Sequence, residues 1–273
     1  MAGTGSEPNR RKGTRIVYLK VIACEVAWRE IAFVASHSSN MLDLEFLPVG
    51  HHDEPKKGHA DLQARIRQTQ SGKYDALLVG YGLCSLMLNG LEAHDTRLVI
   101  PRAHDCLTLF LGSRRRYQEL FDRSPGTYYF TAGWLEFQAR RARARGEDRP
   151  IEELAFQTSP VSMGKTYADL VARYGEENAK YLLEVAHSWS QSYQQGVLIR
   201  FDFDRALGLK EKVDYICQRQ GWQTGEVTGN LDLLQRWMNG PWDSDDFVTV
   251  QPGEAVYPTY DERIMEARPP GKS

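Results

Sequence analysis

Apolar residues run nearly end to end through "TRIVYLKVIAC", ending at Cys24, the pattern of a strand buried on both faces. In "EVAWREIAFVASHS" the residues Val26, Ile31, Val34 and Ala35 fall at helical spacing, and "LDLEFLPVG" then alternates apolar and acidic positions as a second strand does. The polar stretch "HADLQARIRQTQ" puts Leu62 and Ile66 on one helical face, and "YDALLVGYGLC" is a third, continuously apolar strand. A short helix or turn at "SLMLNGL" leads to a fourth strand, "TRLVI", which Pro101 ends. Beyond it, "LTLFLGSRRRYQELFDRSPG" reads as a helix interrupted near Gly112, and "TYYFTAGW" as a fifth strand. Strands alternating with helices predict an α/β fold: a mostly parallel, Rossmann-like sheet with right-handed crossovers and helices on both faces.

The character changes past Trp134. "LEFQARRARARGEDR" is dense in arginine and lacks a wide apolar stripe, which suits either a solvated helix or an anion or RNA patch. "EENAKYLLEVAHSWSQSY" predicts an amphipathic helix, "QGVLIRF" a strand and "DFDRALGLKEKVDYICQRQGW" a helix with Leu209, Val213 and Ile216 inward. "WQTGEVTG", "NLDLLQRWMNG" and "DFVTVQPG" predict a strand, a helix capped by Asn230 and closed by Gly240, and a last strand. The expected organisation is a polar tail at 1–14, an N-terminal α/β lobe at 15–134, a smaller helical and α/β lobe at 135–257, and a second tail at 258–273.

Composition narrows the function classes. Of 273 residues 41% are hydrophobic and 11% aromatic, enough for a real core. A net charge of −2 gives no reason to expect nucleic acid as a partner, and no apolar run reaches the roughly 20 residues that span a bilayer. The basic N-terminus has no apolar segment behind it to make a secretory signal, so the expectation is a cytoplasmic protein with reduced thiols. "GYGLC" and "GEVTGN" fit neither the dinucleotide nor the P-loop fingerprint, and there is no nucleophile-elbow motif.

The candidate chemistry lies in four residues. Cys24, Cys84 and the pair His104/Cys106 all follow the C-terminal ends of predicted strands, and in a parallel sheet those ends share one edge. Three thiols and an imidazole make a soft donor set, suited to zinc, ferrous iron or an iron–sulfur cluster. Each residue also has an ordinary structural alternative: Cys24 and Cys84 as packed strand-end residues, His104 as a cap, Cys106 as a core thiol. Cys217 sits on an apolar helical stripe and reads as packing. Glu25 is a candidate general acid/base or a plain first-turn acid, and His51 and His52 lie after the second strand, where His52 could carry protons. Arg102 could orient a ligand carboxylate or phosphate, or form a structural ion pair, and Tyr81 and Trp134 could line the pocket or the core.

The series "CE", "HHDEP", "YGLC", "PRAHDC" and "PGTYYFTAGW", with "GEVTGNLDLLQRWMNGPWDSDDFVTVQPGE" later, resembles the family called domain of unknown function 1638. The likeness runs from about Arg15 to Gly253. It implies a cytoplasmic α/β protein with Cys/His positions at Cys24, Cys84, His104 and Cys106, and at His52. It also implies a setting beside corrinoid-dependent methyltransferases for methylated amines, and hence one-carbon metabolism. Three functions follow as expectations. The first is a thiolate-ligated zinc or iron enzyme acting on a small molecule. The second is a non-catalytic accessory protein that binds a metal, cluster or corrinoid for a partner methyltransferase. The third is a metal-free enzyme with Cys106 as nucleophile.

Overall fold

The computed structural model describes residues 16–51, 54–144, 146, 150–153, 171–172, 175–180 and 192–271. His52, and most of the expected helix "EENAKYLLEVAHSWSQSY", lie outside them.

Two sheets of mostly parallel strands organise the chain. The larger has the order β2-β1-β3-β4-β8, where β1 is Tyr18–Cys24, β2 Met41–Leu47, β3 Ala76–Gly80, β4 Leu98–Pro101 and β8 Phe247–Val250. The first four strands run parallel and β8 pairs antiparallel with β4. Helices α1 (Trp28–Ser36) and α2 (Pro55–Gln68) make crossovers. The continuous apolar runs are explained by burial on both faces: every residue of β3 is buried. One face packs Ile31, Val34 and Trp237, and the other Leu62, Ile66 and Leu91. The Trp237 indole N–H also donates to the Val99 carbonyl at 3.0 Å, pinning α7 (Asp232–Asn239) under the sheet.

The second sheet is β5-β6-β7, with β5 Thr127–Phe130, β6 Gln195–Arg200 and β7 Gln223–Thr228, all parallel. Its cover is α6 (Leu209–Gln220), which buries Val213, Ile216 and Cys217. A Cβ on Gly196 of β6 would collide with the Cys217 sulfur, so the cysteine fills a space a strand glycine leaves. Cys217 is a packing residue.

The "TYYFTAGW" strand stops early. β5 ends at Phe130, and α5 (Ala132–Ala144) begins where Thr131 Oγ1 accepts the Trp134 N–H at 3.2 Å. Gly133 then lies so close to the Val26 carbonyl that any Cβ would overlap it, joining α5 to the turn after β1. The arginine-dense stretch is thus partly this helix, with Arg140 paired to Glu25 at 3.2 Å and Arg141 over the Phe137 ring. Within 258–273, strand β10 (Met265–Arg268) pairs antiparallel with β9 (Ala255–Pro258), so ordered structure continues where a tail is expected. β8 likewise returns the chain to the first sheet from the second. Among the described residues no helix is long and apolar enough to cross a membrane.

Candidate functional site

The C-terminal ends of β1, β3 and β4 stand side by side, Ala23 opposite Gly80 and Leu78 opposite Val99. Beyond them the two following loops are stitched together. Leu83 N–H donates to the Ala103 carbonyl at 2.9 Å and Cys84 N–H to the His104 carbonyl at 3.1 Å. Gly82 permits this approach, since a Cβ there would stand 2.8 Å from the Asp105 Cα and N. Cys84, Ser85 and Leu86 then take left-handed backbone angles, φ 43°, 58° and 65°. For side-chain-bearing residues this conformation costs on the order of 1–2 kcal/mol each, so the turn that carries Cys84 is strained.

Cys84 and Cys106 sit on these stitched loops and Cys24 ends the neighbouring strand, close enough for their charges to act on one another. Cys24 packs between the hydrophobic clusters on the two sheet faces, Cys106 against one and Cys84 against the other. All three are free thiols with a little surface left open. Burial is the first cause that pushes Cys24 and Cys84 up to about 12, and Cys106 well above its ordinary value. Mutual repulsion adds to it: the Cys24 and Cys84 charges raise Cys106, and Cys84 raises Cys24. The Asp105 carboxylate raises Cys84 and Cys106 as well. Among the described residues, no three His, Cys, Asp or Glu side chains already surround one point as metal ligands do.

Tyr81 borders the thiols. It is 4% exposed, and its hydroxyl is buried without a hydrogen-bond partner among the described residues. Burial, then the neighbouring Cys24, Cys84 and Glu25 charges, push the phenol far up. A buried hydroxyl left unmatched is uncommon and costs about 1–3 kcal/mol, which marks the spot as one that something polar should share. Glu25 opens the 3-10 turn Glu25–Ala27 directly after Cys24. Its carboxylate accepts from Val49 N–H at 3.4 Å and pairs with Arg140.

The other expected residues are placed differently. His104 is exposed, and its imidazole has no hydrogen-bond partner among the described residues. It lines an open cleft that the three cysteines do not line. Arg102 donates to the carbonyls of Phe247, Arg263 and Met265, tying β4 to the C-terminal strands. His51 is bound to the Pro48 carbonyl at 2.7 Å and to Asp61 at 3.0 Å. Trp134 packs edge-on against Phe130 and Tyr128.

Asp105 is the residue that sequence reasoning left without a role. Its Oδ1 accepts the Leu107 N–H at 3.0 Å, capping α3 (Leu107–Leu111), and its Oδ2 accepts the Tyr117 hydroxyl at 2.9 Å. Burial raises its carboxyl, and those two hydrogen bonds oppose the rise. It lines the cleft on one side and acts on two thiols on the other, so it is the wall between them. The available signal was an aspartate two residues before an apolar helical run.

No curated protein matches the chain, and no solved structure does. Cys84, His104 and Cys106 fall inside the span that a family model does match, and Cys24 and Glu25 precede it. That model, described as a protein of unknown function (DUF1638), covers residues 46–238, and the chain belongs to this family.

Proposed function

We propose that Cys24, Cys84 and Cys106 hold one soft metal ion, zinc before iron, at the rim of the first sheet, and that the centre serves an enzyme acting on a small molecule. What supports this reading is that the three thiols follow three separate strand ends and lie near enough for their charges to act on one another, beside the buried Tyr81 hydroxyl. The donor set fits the ion: thiolate sulfur selects zinc, copper(I) or iron over magnesium and calcium.

The thiols' charge environment supports the same reading over a metal-free nucleophile. Burial, then the Asp105, Cys84 and Cys24 charges, hold the Cys106 thiol well above its ordinary value and so protonated at neutral pH, whereas a lone nucleophile needs thiolate. A divalent cation would reverse that balance, because a coordinating thiol gives up its proton. Ligation would also draw the three side chains toward one another. A zinc ion in such a site lowers the pKa of a bound thiol or water and so supplies a nucleophile at neutral pH. Around it, Tyr81 would donate its idle hydroxyl, and Glu25, beside Cys24, would hold or pass a proton. The one-carbon setting, with a corrinoid protein or methyltransferase as partner, is proposed on the family resemblance alone.

Cobalt(II) substitution tests the proposal. Titration of the metal-free protein should raise a thiolate-to-cobalt charge-transfer band that saturates at one equivalent, and Cys24→Ser, Cys84→Ser and Cys106→Ser should each diminish it. A band that Cys84→Ser and Cys24→Ser leave unchanged would defeat the shared site.

A further inference from the structure

Beside the thiols a cleft of about 1160 Å³ opens between the loop after β4, helix α4 (Arg114–Arg123) and the C-terminal segments near Asp245 and Glu262. Arg102, Arg114, Arg115 and Arg263 line it. Arg102 donates to three backbone carbonyls, and Arg114 to the carbonyls of Glu262 and Asp245. Carbonyl oxygens satisfy a guanidinium's N–H groups without neutralising its charge. At Arg102, burial first and then the Arg114 charge push the guanidinium below the ordinary arginine value, against the pull of Asp245.

Two more features point the same way. The first turn of α4 holds Arg114, Arg115 and Arg116 and no acid, although a helix start favours negative charge. The carboxylates nearby are partly engaged: Asp246 pairs with Arg236 at 2.7 Å and Asp261 with Arg263 at 2.8 Å, while Asp245 and Glu262 remain on the cleft wall. Two side chains stay available to a ligand: among the described residues Arg115, 89% exposed, pairs only with Glu119 on its own helix, and the exposed His104 imidazole has no hydrogen-bond partner.

We infer that this cleft is a binding site for a ligand that carries an oxyanion, carboxylate or phosphate, received by Arg115 and His104 in the field of Arg102 and Arg114. Oxyanion binding in the cleft can be measured independently of the metal-thiolate reading. Guanidinium groups recognise both oxyanions through charge-assisted hydrogen bonds. An oxyanion at the arginine end leaves the rest of the molecule facing Asp105 and Tyr117, the wall behind which Cys84 and Cys106 lie.

Calorimetric titration of the full chain with inorganic phosphate and, separately, with succinate tests this, with sodium chloride holding ionic strength constant. At least one of the two should bind saturably, and the stronger identifies the oxyanion. Arg115→Gln and His104→Gln, both at exposed positions, should keep the wild-type Tm. Each should bind that probe about tenfold more weakly, the loss of one hydrogen bond to the oxyanion. Cys106→Ser should lose metal yet bind the probe as the wild type does. Heat no greater than that of chloride for both probes, or wild-type affinity in both cleft variants, overturns the inference. Oxyanion binding in a wild type that carries no metal would support the cleft and refute the thiol centre.

Discussion

Replacing Glu30 by glutamine should change how stability depends on pH. Glu30 lies on α1, is 0% exposed, and neither carboxyl oxygen has a hydrogen-bond partner among the described residues. Burial raises its pKa from 4.5 to about 8, with the Asp204 carboxylate adding to the rise, while the nearby Arg29 is already paired with Glu136. A folded-state value above the unfolded one means that folding holds a proton which the unfolded chain has released. Stability is therefore full below pH 4.5, declines as the pH rises, and stops declining above about 8. Each pH unit between those two values costs about 1.4 kcal/mol, so the whole penalty is roughly 5 kcal/mol, a large share of the roughly 5–15 kcal/mol that holds a typical domain together. Glu30→Gln keeps the shape and removes the proton equilibrium. In urea denaturation the variant should match the wild type near pH 4.5 and exceed it by several kcal/mol near pH 8. Parallel pH profiles for the two proteins would refute the reasoning, because they would mean that Glu30 is solvated or paired in solution.

Other substitutions test the architecture of the site. Gly82→Ala puts a Cβ 2.8 Å from the Asp105 backbone, prising apart the two stitched loops. Metal affinity measured by chelator competition should fall about 10- to 100-fold, as it does when the supports of a metal site are disturbed. Gly133→Ala drives a Cβ into the Val26 carbonyl and should cost about 1–3 kcal/mol or more, seen as a Tm lower by several degrees. Cys217→Ser places a hydroxyl in the apolar packing against Gly196 and should destabilise by about 1–3 kcal/mol, while leaving metal content unchanged.

The parallel sheet was legible because its central strands are buried on both faces, and residues such as Leu77–Val79 therefore form unbroken apolar runs. Strand ends were legible for a related reason: Gly80, Gly82 and Pro101 punctuate them, which places Cys24, Cys84 and Cys106 at one edge. Tertiary contacts decided the rest. "TYYFTAGW" has the composition of one strand throughout, but the Thr131 cap and the contact of Gly133 with Val26 turn its second half into a helix. "MEAR" lacks an apolar run, so β10 depends on pairing with β9 rather than on its own pattern. His104 shares a loop with Cys106, yet spacing alone could not show that its side chain faces the cleft while the thiols face the core. Glu30, on an amphipathic helix, has nothing in its local sequence to mark it as buried.

The shared thiol site is tested most directly by elemental analysis of the protein purified without chelators, wild type beside Cys24→Ser, Cys84→Ser and Cys106→Ser. The account predicts about one zinc or iron per wild-type chain and its loss in each of the three variants, as expected when sulfurs ligate a common ion. A metal-free wild type, or a stoichiometry that the three substitutions leave unchanged, would contradict it.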